Sequence, residues 1–324
     1  MNLWRWWKNG TRPNPARTAR LRLEAMETRE VPAAMPDAVA LVGNSPAGSV
    51  VSLVNPNGTA IRNLLPFPGF TGGVVAAAGD VNHDGTADVI VGAQRASGFV
   101  AVFDGATGNV LSARATLPGY TGTIGVGSAD LDGDHFADVL VGANAPGAPV
   151  LAFGGRDGAM LSGFLATPGF SAPISLSGAD FDRDGRDEII VGAGLGGAVL
   201  VYRPDGSRAS TTFALPGFVG PVSVAAGDVT GDGVPEIIVG AGAGAPAGLT
   251  VELNASGGTN LVLTPVSSGY RGGAVVGVGD ADGDGRRDIL LALANEQLTG
   301  IWPFDGTSGE LLNYTPDTSV PVEL

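Results

Sequence analysis

Carboxylates at a fixed spacing are the residues of this chain most able to do chemistry. Five stretches open with Asp and place oxygen-bearing side chains at positions 1, 3, 5 and 9. These are Asp80, Asn82, Asp84 and Asp88, then Asp130, Asp132, Asp134 and Asp138, then Asp180, Asp182, Asp184 and Glu188. Asp228, Thr230, Asp232 and Glu236 form the fourth set, and Asp280, Asp282, Asp284 and Asp288 the fifth. Position 6 is Gly in four of the five, which permits a sharp turn. Several hard oxygens brought around one point is how calcium is held. Without a cation, so many carboxylates in one loop repel each other. One such stretch could be an ordinary acidic turn, since Asp and Gly favour turns for local reasons, but five copies favour a metal.

An EF-hand begins the same way but needs a bidentate Glu at position 12 and a helix on each side. Here position 12 is Val91, Val141, Val191, Val239 or Leu291, within β-branched runs such as Val89-Ile90-Val91 that favour strand. Other chemistry has little to work with. The only histidines, His83 and His135, sit inside the loops at positions 4 and 6, which leaves no Ser-His-Asp arrangement. Cysteine is absent, so there is neither a thiolate metal site nor a disulfide. The Gly-rich run Gly240–Ala245 has no Lys-Ser or Lys-Thr after it and meets Pro246, so it is no phosphate loop.

The elements that must hold these loops are strands. The loops start 50, 50, 48 and 52 residues apart, a period typical of propellers and solenoids. Each unit reads as four strands; in the second unit these are Val74 to Gly79, Asp88 to Gly92, Phe99 to Phe103 and Val110 to Ala115. The acidic loop joins the first two. A Gly-rich hairpin turn such as Asp104–Gly108 joins the last two. A connector with an aromatic after Gly then leads on (Gly69-Phe70, Gly119-Tyr120, Gly169-Phe170, Gly217-Phe218, Gly269-Tyr270). The reading is an all-β propeller of six four-stranded blades, with the acidic loops between strands 1 and 2. Sets of strands 2 to 4 occur six times but strand 1 only five times, so Ser319–Leu324 is expected to supply the missing inner strand and close the ring.

The connectors, the D-x-D-x-D-G-x-x-D loops and the following Val-Gly-Ala (Val91–Ala93, Val141–Ala143, Val191–Ala193, Val239–Ala241) resemble FG-GAP repeats. Those repeats form the blades of the integrin α-subunit propeller and of bacterial VCBS-type repeat proteins. The resemblance covers residues 37–324. It implies calcium held by side chains at positions 1, 3, 5 and 9 and by a backbone carbonyl at position 7: Thr86, Phe136, Arg186, Val234 and Arg286. Two loops depart from the pattern. His135 replaces Gly at position 6 of the second, and Thr230 replaces the acid at position 3 of the fourth.

Residues 1–36 read as a separate basic leader or tail containing Trp4, Trp6, Trp7 and the only lysine, Lys8. Its Leu21–Ala33 segment resembles the short L-R-x-E-x-L-E-x-R-x-x-P-A leader of bacterial surface and secreted repeat proteins, which implies export. The net charge of −14 argues against nucleic acid. Nineteen of the 32 acidic residues lie in the five loops, so the charge reads as a metal requirement. No apolar run is long enough to span a membrane. Together these readings give a monomeric, non-catalytic calcium-binding module outside the cell or at its surface, with a glycan or extracellular protein as partner. A polysaccharide lyase-like enzyme and a structural spacer are the alternatives. The face away from the loops is expected to bind, through Arg95, Asn144, Arg271 and Glu296. Its Gly-Phe and Gly-Tyr rings either form a floor for sugars or pack between blades.

Overall fold

The computed structural model describes residues 38–45, 48–168, 173–194, 196–266, 268–293 and 301–312. The strands fall into six antiparallel sheets, each built from neighbours in sequence. Blade 1 holds β1 (Val39–Ser45), β2 (Gly48–Val54) and β3 (Ala60–Leu64). Blade 2 holds β4 (Val74–Gly79), β5 (Asp88–Ala93), β6 (Phe99–Phe103) and β7 (Val110–Ala115). Blade 3 holds β8 (Ile124–Ala129), β9 (Asp138–Ala143), β10 (Gly147–Phe153) and β11 (Met160–Thr167). Blade 4 holds β12 (Ile174–Ala179), β13 (Glu188–Ala193), β14 (Ala198–Tyr202) and β15 (Arg208–Phe213). Blade 5 holds β16 (Val222–Gly227), β17 (Glu236–Ala241), β18 (Thr250–Leu253) and β19 (Thr259–Leu263). Blade 6 holds β20 (Ala274–Gly279), β21 (Asp288–Leu293) and β22 (Ile301–Phe304).

Six apolar clusters hold the blades face to face, one at each boundary. Val51 and Leu53 of blade 1 meet Val89 and Val91 of blade 2, for example, and Leu41 and Val54 of blade 1 meet Leu290 and Ile301 of blade 6. The second contact closes the ring. Because each second strand lies between two neighbouring blades, β5, β9, β13, β17 and β21 are buried along their whole length, which explains the apolar run after their first, acidic residue. The Gly of Val-Gly-Ala lets the next blade approach: a Cβ on Gly192 would sit 2.6 Å from Val224 Cγ1. Outer strands such as β15 are mostly exposed.

The first and last sheets have three strands among the described residues, where four were expected in every blade. In blade 6, Leu311 pairs with Phe304 as the remnant of an outer strand. Blade 1 begins with β1, whose Val-Ala-Leu-Val-Gly matches a second strand, so β1 itself lines the central channel. That channel encloses about 540 Å³ between β1 and the inner strands β4, β8, β12, β16 and β20. Two of its serines are engaged between blades: Ser128 Oγ donates to the Ala78 carbonyl at 2.7 Å and Ser223 Oγ to the Ala274 carbonyl at 3.1 Å. The closing strand expected at Ser319–Leu324 lies outside the described residues, as do the segment 1–36, Phe170 and Glu296.

Candidate metal centres

Every acidic loop joins the inner to the second strand of its blade, in blades 2 to 6, so all five emerge at the same end of the ring. Each turns through two left-handed residues, at positions 4 and 6. These are Gly in most places, but His83 (φ 57), Arg183 (φ 62) and His135 (φ 67) adopt the same conformation. The cause is the position-1 carboxylate, which gathers the N–H groups of the turn. Asp180 Oδ1 accepts from Asp184 N at 3.1 Å and its Oδ2 from Gly185 N at 2.9 Å; Asp280 accepts from Gly283 and Gly285 at 2.6 and 2.9 Å. The position-3 carboxylate accepts from the position-5 N–H, as Asp182 does from Asp184 at 3.2 Å. The position-5 carboxylate accepts from the position-7 N–H, as Asp134 does from Phe136 at 3.0 Å and Asp232 from Val234 at 2.8 Å. This fixes the peptide at position 7, the residue whose carbonyl the resemblance implicates.

The position-9 acid opens the second strand and is almost wholly buried: Asp88 is 0%, Asp138 1%, Glu188 5%, Glu236 3% and Asp288 4% exposed. One oxygen accepts from the position-2 N–H, as Asp138 does from Leu131 at 2.8 Å. In blades 2 and 3 the other accepts from the far hairpin turn, Gly105 N at 2.9 Å to Asp88 and Gly155 N at 3.0 Å to Asp138. A Cβ on Gly105 would strike the Ala87 carbonyl, so only Gly lets that turn come close. The sequence reading missed these turn contacts; their visible sign was a Gly two residues after the third strand, Gly105 and Gly155.

Three loops bring acids from positions 1, 3 and 9 together, with carboxylate oxygens within 4.8 Å of one another: Asp130, Asp132 and Asp138; Asp180, Asp182 and Glu188; Asp280, Asp282 and Asp288. The other two loops carry Asn82 and Thr230 at position 3. Thr230 Oγ1 donates to Glu236 Oε1 at 3.2 Å, and Asn82 Nδ2 to Asp84 Oδ2 at 3.0 Å. In the fifth loop, Arg286 pairs with Asp284 of position 5 at 3.1 Å. Desolvation by burial pushes Asp88 up to about 6, Asp138 to about 7 and Asp288 to about 6, against the pull of their backbone hydrogen bonds and with help from neighbouring carboxylates. Burial likewise raises Glu188 and Glu236. An oxygen-only donor set of clustered acids that resist ionisation fits a hard divalent cation.

Adjacent loops also touch. The position-8 N–H of one loop donates to the position-1 carbonyl of the loop before it, Ala137 to Asp80 at 2.8 Å and Asp187 to Asp130 at 2.7 Å. His83 and His135 stack across the same boundary, with ring centroids 6.3 Å apart.

At the other end of the ring, the connector aromatics Phe70, Tyr120 and Phe218 pack inward and form no floor. Phe70, Tyr120 and Phe218 are half-buried in inter-blade clusters and lie so close to Gly72, Gly122 and Gly220 that a Cβ there would strike the ring. Tyr120 Oη donates to the Thr123 carbonyl at 3.1 Å and Tyr270 Oη to Gly273 at 2.7 Å. Asn144 is used between blades: its Oδ1 accepts from Ile174 N at 2.9 Å and its Nδ2 donates to Thr123 Oγ1 at 2.6 Å. Arg95 is exposed, as is Arg271, whose Nη1 donates to the Tyr270 carbonyl at 2.7 Å.

Among the described residues no helix is long and apolar enough to cross a membrane. No curated protein matches the sequence significantly. Solved structures share the fold. A protein of unknown function from Bacteroides caccae is 14% identical over 87% of this chain and 94% of its own, with a TM-score of 0.53. An Agrocybe aegerita lectin, described as recognising non-reducing terminal N-acetylglucosamine, is 19% identical over 86% and 78%, with a TM-score of 0.50. A family model for FG-GAP-like repeats matches residues 80–141 and 180–239, each match running from the start of one acidic loop into the second strand of the next blade or the next copy of it. Six antiparallel blades, with FG-GAP-like repeats matched at residues 80–141 and 180–239, make the chain a β-propeller carrying FG-GAP-like repeats.

Proposed function

We propose that this propeller is a non-catalytic, calcium-stabilised ligand-binding module working outside the cell or at its surface. The FG-GAP propeller fold fits a ligand-binding module. The observation that carries the calcium reading is the convergence of three carboxylate oxygens in each of three loops, with the position-9 acid buried at the head of a core strand. Calcium supplies positive charge that lets these acids ionise together. The side chains at positions 1, 3, 5 and 9 and the position-7 carbonyl hold it, and the ring gains rigidity at its loop face.

The partner meets the opposite face, where the strand 2–3 turns and the connectors lie. That face displays the exposed Arg95 and Arg271, and loops of this kind vary without disturbing the blades that carry them. Asn144, engaged between blades, belongs to the scaffold. A glycan or a matrix protein is the partner class we favour; a lectin of known glycan specificity has the same fold. The test is a glycan and matrix-protein array probed with the full chain, its Arg95→Ala/Arg271→Ala variant, and a loop variant such as Asp182→Ala. The double variant should lose most binding to any partner found while keeping the calcium-dependent melt of the parent. Binding that survives the double variant but is lost with the folded loop variant would move the function to the metal face. Cleavage of a uronate polymer by the purified chain would make it an enzyme instead.

A further inference from the structure

We propose that Asp187, a residue of the third loop, is a positioning residue for calcium in the second. This rests on the calcium reading of the loops. Asp187 stands at position 8, where the other loops have Ala87, Ala137, Pro235 and Arg287, and position 8 supplies no ligand side chain. Its contacts point across the blade boundary. The Asp187 N–H donates to the Asp130 carbonyl at 2.7 Å, and the Asp130 N–H donates to Asp187 Oδ2 at 2.9 Å. Asp130 is thus gripped at both sides of its main chain by the next blade.

The grip matters because Asp130 organises its whole loop. Its Oδ1 accepts from Gly133 N at 2.8 Å and its Oδ2 from His135 N at 2.9 Å, so wherever its main chain sits, the turn carrying Asp132 and Asp134 follows. At two other boundaries the neighbour gives no carboxylate grip. Asp80 receives the Ala137 N–H from its neighbour, and the residue facing Asp180 is Pro235, which has no N–H to give. Ala137 makes the backbone contact without a carboxylate, so the backbone contact does not require an acid at position 8. A part-buried carboxylate costs free energy unless its hydrogen bonds serve it. Here the bond it makes fixes a ligand of the adjacent site, the arrangement by which outer-shell groups orient metal ligands.

The experiment is calorimetric titration of the full chain with calcium. Asp187→Ala, a residue the same position tolerates in two other loops, should weaken one site by about tenfold or more. Asp187→Glu, which keeps the charge but moves the oxygens by a methylene, should weaken it too. Asp187→Asn, which keeps an acceptor oxygen in place, should recover most of the loss. The same changes are repeated where a site is already disabled. The Asp187→Ala loss should vanish in an Asp132→Ala background and persist in an Asp182→Ala background. A loss that persists with Asp132→Ala, or a parent that binds calcium while neither Asp187→Ala nor Asp187→Glu changes the titration, overturns the inference alone. A parent that takes up no calcium overturns the calcium reading and takes this inference with it.

Discussion

The second and fourth loops each depart from the repeat pattern by one residue, and the two departures end differently. In the second, His135 stands where Gly is preferred, yet it adopts φ 67, its N–H still reaches Asp130 Oδ2, and Asp130, Asp132 and Asp138 converge. In the fourth, both glycines are present and the turn is regular, yet Thr230 leaves acids only at positions 1 and 9 of the three that converge in the second loop, and its hydroxyl is spent on Glu236. A conformational departure is absorbed by the hydrogen bonds that close the loop. A chemical one is not, because no neighbour replaces the missing carboxylate. From sequence the two looked equally doubtful; their geometry sets the fourth loop below the second.

The largest effect that can break this picture is removal of the metal. A ligand that binds only the folded state at about 1,000 times its dissociation constant contributes about 4 kcal/mol, and on the proposed calcium reading several loops would fill together. Chelator should therefore lower the melting temperature by on the order of 10 °C or more relative to millimolar calcium. Superimposable melts would leave the comparison of loops without a cation to compare.

Next comes the missing acid itself. Thr230→Asp restores the position-3 carboxylate in a turn already shaped for it, so the fourth site should tighten by on the order of tenfold, since ligand charge tunes affinity in such loops. The readout is the calcium titration of the variant against the parent. An unchanged titration would mean that this loop binds no metal for a reason other than its donor count.

How far these points could be read in advance follows from where each interaction lies. The blades were legible because a strand buried on both faces carries a continuous apolar run, and Val89–Ala93 and its four copies announce this five times. The convergence of acids from positions 1, 3 and 9 in three loops was legible because it lies within nine consecutive residues. Contacts between repeats were not. Nothing in one repeat says that Asp187 reaches Asp130 or that Asn144 bridges to Ile174, since blade-to-blade register is set by packing. The shortage of one inner strand was visible as a count, five inner strands for six outer sets, and among the described residues β1 lines the channel at the first blade.

A smaller effect is the dependence on pH. Burial holds Asp88 and Asp288 near 6 and Asp138 near 7, above the ordinary carboxylate range. The folded, calcium-free chain therefore binds more protons than the unfolded one between about pH 4 and 7, and its stability falls as pH rises through that window. Calcium competes with those protons, so its stabilisation grows over the same window. Melting temperatures taken across it should diverge, falling in chelator and level or rising in calcium. Parallel curves would show that the position-9 acids take no part in binding.

The smallest effect isolates the conformational departure. His135→Gly relieves a left-handed residue, which costs about 1–2 kcal/mol for a side chain with a Cβ. It also frees the unfolded chain by about 1 kcal/mol and removes the stack of His135 on His83. These terms oppose each other, so the melting temperature in calcium should move by only a few degrees, in line with a net change of about 1 kcal/mol or less. Binding at the second site should stay within about threefold, because the His135 N–H that Asp130 needs belongs to the backbone and survives the change. If His135→Gly instead tightens that site by tenfold, the His was distorting the donor set, and the second loop belongs with the fourth after all.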